Sequence, residues 1–135
     1  MSEGLLPGAV HAFNYVTRAE DTAAALTPLT GDAFPAVLST TRTIALLELA
    51  AGRLLVPLLA PGQLSVGVGV EVKHLAATAV GAWVEAQATY TGREGKLYRF
   101  EVLARDAGGE IMRGVHTRAV IDEARLLEGA RRRGG

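Results

Sequence analysis

No cysteine occurs in this 135-residue sequence. That excludes disulfides, thiolate nucleophiles and cysteine-ligated metals, and leaves the compartment open. No charge sign is in excess either: 14 Lys and Arg balance 14 Asp and Glu. A neutral chain is not expected to take nucleic acid as its main partner. Long hydrophobic runs are missing too. The apolar stretch 44–60 is interrupted by Glu48 and Arg53 and is too short to span a bilayer comfortably, so no membrane partner is expected. The opening "MSEGLLPGAV" has neither a positive n-region nor a long apolar core, so a cytoplasmic protein is expected. With no internal repeat and no linker, one domain over 1–135 is expected, ending in a flexible tail over about 124–135. The three histidines lack metal-ligand spacing, and no G-x-S-x-G elbow occurs. "GVGVEV" reads as a strand of small residues rather than a dinucleotide loop. No metal and no cofactor are expected.

What is present has a clear order. Residues 9–17 alternate loosely and read as a strand; residues 18–38 read as loop with a helical turn. "STT" at 39–41 offers N-caps for a helix over about 40–59 that is apolar almost all round, and "APG" ends it. From Leu64 the period becomes two. Leu64, Val66, Val68, Val70 and Val72 are expected on one face. Three further strands follow, joined by hairpin turns in "TGREGK" and "DAGGE", with Tyr98, Phe100, Val102 and Ala104 facing inward. One apolar helix and one antiparallel sheet give an α+β arrangement in which the sheet wraps the helix. Its uncovered edge and face favour oligomers.

Glu48 stands out because it interrupts the apolar helix, and an unpartnered buried carboxylate is costly. The bland reading is a narrow solvent-facing strip with Glu48 paired to Arg42 or Arg53. The functional reading is a partly desolvated carboxylate serving as base or nucleophile. Ser39, Thr40 and Thr41 are explained by capping alone, yet a hydroxyl beside free helix N-terminal amides can also hold a developing oxyanion. Thr40 lies about 12 Å along the helix axis from Glu48. His74 shares parity with Val70 and Val72 and should face the helix; His11 and His116 stand in no comparable context. Gly67 and Gly69 are costly in a strand and mark a bulge or a close approach. Arg93, Arg113, Arg118 and Arg131 to Arg133 are surface charge by default, and also what a phosphate-rich ligand needs.

Across about residues 9–122 the sequence resembles the fluoroacetyl-CoA thioesterase family, of hotdog fold. The resemblance rests on "FP", the threonine six residues after that phenylalanine, the glutamate of "LLELA", the "PG" turn, the glycine of "SVGVGV", the histidine after "EVK", and "HTRAVI". It implies an acyl-CoA thioesterase that releases free acid and CoA, with catalytic residues Thr40, Glu48 and His74 around one pocket. It further implies substrate contacts at Phe34, Gly67 and Arg118, and a homodimer or dimer of dimers with pockets at the interface. Coenzyme A enters only as part of the substrate. The fluoroacetyl-specific enzyme has two phenylalanines before the helix; here Phe34 keeps one and Gly31 stands at the other. This departure leaves thioester hydrolysis of a small acyl-CoA implied, removes the support for fluoroacetyl selectivity, and leaves the acyl group open. A non-catalytic acyl-CoA-binding module on the same fold is the alternative. A hotdog enoyl-CoA hydratase would need an Asp/His pair in one segment, and none is found.

Overall fold

A computed structural model describes residues 4–27 and 30–134. Strand β1 (Val10–Val16) is followed by a 3₁₀ turn (Ala19–Asp21) and then helix α1 (Thr40–Leu55), which tightens into a 3₁₀ turn at Val56–Leu58. Strands β2 (Gln63–His74), β3 (Trp83–Glu94), β4 (Leu97–Asp106) and β5 (Gly109–Asp122) come next, then helix α2 (Glu123–Arg132). The strands form one antiparallel sheet in the order β1-β3-β4-β5-β2. Helix α1 packs against all five. This is the hotdog arrangement.

The core follows from the sequence periods. Leu46, Leu47, Ala50, Ala51 and Leu55 bury one side of α1 against Val84, Ala86 and Ala88 of β3, Phe100, Val102 and Ala104 of β4, and Ile111 and Met112 of β5. Alanines at 86 and 88 are fully buried and let the helix come close to the strand beneath it. The alternation expected in β4 is observed. The segment expected as a flexible tail is helical for ten residues, Glu123–Arg132, with Asp122 as its cap. Among the described residues, no helix is long and apolar enough to cross a membrane.

One expectation is corrected. The single face from Leu64 to Val72 does not exist, because β2 carries a register shift between Gly67 and Gly69. Gly67 lies opposite Arg118 and Val70 opposite His116. Arg118 and His116 are two apart on β5 and share a face, so Gly67 and Val70 share it too. The extra residue resets the parity of β2. Ser65 and Gly67 face the helix on one side of the bulge, Val72 and His74 on the other.

Candidate active site

Two groups of polar side chains lie along α1. The first is at its N-terminus. Ser39 is the cap: its Oγ accepts a hydrogen bond from the Arg42 N–H at 2.9 Å. That frees Thr40, whose Oγ1 lies 2.8 Å from His74 Nδ1. His74 therefore faces the helix, as its parity requires. Burial pushes its pKa below the usual histidine value, against an opposing pull from the Ala76 backbone. Its Nε2 is buried without a partner. The first-turn amides at this end have no intrahelical acceptor, so hydroxyl and amides together can stabilise an oxyanion.

The second group is centred on Glu48, two turns on. Its Oε2 lies 3.4 Å from Arg118 Nη1 and 3.9 Å from His116 Nε2, and its side chain is 39 % exposed. A Cβ at position 67 would collide with that same oxygen, which explains Gly67. Arg118 is not at the surface: it is 8 % exposed. It donates from Nε to Ser65 Oγ and from Nη2 to the Ser65 carbonyl, both at 3.0 Å. Burial lowers its pKa, and Glu48 opposes that shift. Arg42 and Arg53, the partners a merely structural Glu48 was expected to have, are engaged elsewhere. Arg42 pairs with the buried Asp21 at 3.0 Å, and Arg53 lies over the Phe13 ring at 4.5 Å. A cleft of about 600 Å³ opens here, lined by Arg42, Glu48, Leu49, Arg53, Leu64 and Arg118 among others. Among the described residues, no cluster of three or more His, Asp or Glu could hold a metal ion.

Residues 18–124 match the model of the fluoroacetyl-CoA-specific thioesterase family. A fluoroacetyl-CoA thioesterase from Streptantibioticus cattleyicolor is 34 % identical over 123 residues, covering 90 % of this chain and 88 % of that one. The chain belongs to the fluoroacetyl-CoA thioesterase family. The solved structure of the fluoroacetyl-CoA thioesterase FlK superposes with a TM-score of 0.93 at 31 % identity, covering 98 % of this chain and 100 % of that one. A thioesterase-superfamily protein of Thermus thermophilus, at 24 % identity, shares the fold with a TM-score of 0.85 over 97 % of this chain and 94 % of that one.

Of the residues expected from this family, Thr40 and His74 meet, and Glu48, Gly67 and Arg118 meet. The two groups do not join: no hydrogen bond or ion pair links Glu48 to Thr40 or His74 within the chain. Phe34 is 57 % exposed on the loop before α1. Gly31 has a φ of +96°, where a phenylalanine side chain would be strained. His116 was missed. It is 2 % exposed and touches both Arg118 and Glu48. The available signal was the spacing in "HTR", which puts His116 and Arg118 on one face of a strand.

Proposed function

We propose that this chain is a single-domain, cytoplasmic thioesterase that hydrolyses a small acyl-CoA to the free acid and CoA. Membership of the thioesterase family supports the reaction class. The observation that carries the mechanism is the 2.8 Å contact of Thr40 with His74 at a helix N-terminus. His74 donates Nδ1–H to Thr40 Oγ1, which leaves the hydroxyl proton free for the thioester carbonyl. The hydroxyl and the first-turn amides then hold the oxyanion. Glu48 takes a proton from a water as the water oxygen bonds to the acyl carbon. The C–S bond breaks, and the thiolate leaves with that proton. No cofactor is needed. Arg118 acts at the carboxylate rather than at the nucleotide phosphates, because each of its three nitrogens already donates inside the fold. With Gly31 at the second of the family's two phenylalanine positions, the paired aromatics that accompany fluoroacetyl selectivity are incomplete, so a small acyl group other than fluoroacetyl is the proposed substrate.

The separation of Glu48 from the Thr40–His74 pair within one chain supports a homodimer. Strand β2 is a sheet edge, and Leu49, Val56, Leu64, Val68 and Val70 beside it are exposed. Antiparallel pairing of two β2 edges, centred on Glu71 and with Val68 as the extra residue of the bulge in each chain, would set Gly67 of one chain opposite His74 of the partner subunit. The Glu48 carboxylate over Gly67 would then complete the site. The test is thiol release from a panel of short acyl-CoAs. Glu48→Gln should lower kcat by about 10²–10⁴-fold with an unchanged thermal melt. Wild-type turnover in that variant would make Glu48 structural and overturn the mechanism.

A further inference from the structure

His116 sits where four elements converge. Its ring lies 6.5 Å from that of Phe100 on β4. Its Nδ1 is 2.7 Å from the Gly69 carbonyl of β2. Its Nε2 is 3.1 Å from Arg118 Nη1 on its own strand and 3.9 Å from Glu48 Oε2 on α1. The two groups within hydrogen-bond distance, the Gly69 carbonyl and Arg118 Nη1, select one tautomer. A carbonyl can only accept, so Nδ1 carries the proton; a guanidinium can only donate, so Nε2 offers its lone pair. The bulge in β2 bears on both contacts, since it lies between Gly67, which makes room for the Glu48 carboxylate, and Gly69, whose carbonyl fixes the imidazole.

We infer that His116 is a positioning residue: locked as the neutral Nδ1–H tautomer by Gly69, it accepts from Arg118 and thereby aims that guanidinium at Glu48. The inference rests on the proposed role of Glu48 and adds what holds Glu48 in place. Arg118 Nε and Nη2 each donate to Ser65, so with His116 Nε2 three fixed acceptors define the guanidinium plane. Among the described residues the charged groups facing His116 are Glu48 from α1 and Arg118 from β5; β2 and β4 present only a carbonyl and a ring. A second proton on His116 would place an N–H against the guanidinium and draw Glu48 from Arg118 towards the imidazolium. Burial and Arg118 oppose that proton.

The experiment has two arms. Long-range ¹H–¹⁵N imidazole spectra of the whole protein at neutral pH should show His116 protonated at Nδ1 and bare at Nε2. This readout needs no activity, so it stands apart from the thioesterase assignment. The second arm compares two variants by kcat, KM and thermal melt. His116→Asn keeps a donor for Gly69 but has no acceptor in reach of Arg118. His116→Gln restores an acceptor at the Nε2 position. His116→Asn should lose about 10²-fold in kcat with a smaller change in KM, the scale of a displaced catalytic group. His116→Gln should recover at least about tenfold of that loss at a comparable melting temperature. An Nε2–H tautomer, an imidazolium at neutral pH, or equal kcat in folded Asn and Gln variants would overturn the inference.

Discussion

Gly67 and Glu48 give the sharpest residue-level case. The carboxylate end of Glu48 occupies the space a side chain at 67 would need, and a Cβ there would also press on the His116 ring at 3.2 Å. Gly67→Ala should therefore displace Glu48 rather than unfold the sheet. Turnover should fall by about 10²-fold while the melting temperature stays near wild type; a variant with full kcat would show that the carboxylate works from elsewhere. The two inward histidines make a separate claim. Burial lowers the pKa of both His74 and His116. The unfolded chain then takes up their protons first as pH falls, so stability declines from the usual histidine value of about 6.5 down to each folded value and levels off below it. The melting temperature should drop on acidification through that window, and His116→Gln should drop less than wild type. Equal slopes would mean that His116 does not contribute.

At the scale of elements, the β2–β5 pair is the part that cannot give. A Cβ at Gly114 would run into the Glu71 carbonyl and the Val72 backbone, with no flexible group to move aside. Gly114→Ala should lower the melting temperature far more than Gly67→Ala does, which a thermal scan of the two variants checks. Leu47→Ala, in the fully packed side of α1, should cost about 2–5 kcal/mol in denaturant unfolding. Much of this architecture was legible in the sequence because it depends on local period: the apolar helix, the alternation of Tyr98 to Ala104, and the inward parity of His74. The parity of Leu64 and Val66 was not legible, because a bulge is a property of two paired strands and only the neighbouring β5 reveals it. Gly67 and Gly69 did signal an irregularity, and both a bulge and a close approach occur there. Arg118 was read as surface charge because arginines mostly are; its burial depends on Ser65, His116 and Glu48 converging from three elements.

At the scale of the molecule, one chain holds the two halves of the proposed chemistry apart. A β2 edge with exposed Leu64, Val68 and Val70 is also a surface that invites pairing. Light scattering should give a dimer or a multiple of it, and Leu49→Glu, on the exposed apolar rim of the cleft, should weaken that assembly and turnover together. The decisive measurement is complementation. Glu48→Gln and His74→Ala, each nearly inactive alone, are unfolded, mixed in equal amounts and refolded. If each site takes Glu48 from one subunit and Thr40 with His74 from the other, half of the dimers are mixed and each mixed dimer has one intact site of two. Thiol release should then recover to about a quarter of the wild-type rate, as two-fold symmetry requires. Mixed dimers confirmed by mass spectrometry that show no recovery would contradict a site shared between subunits.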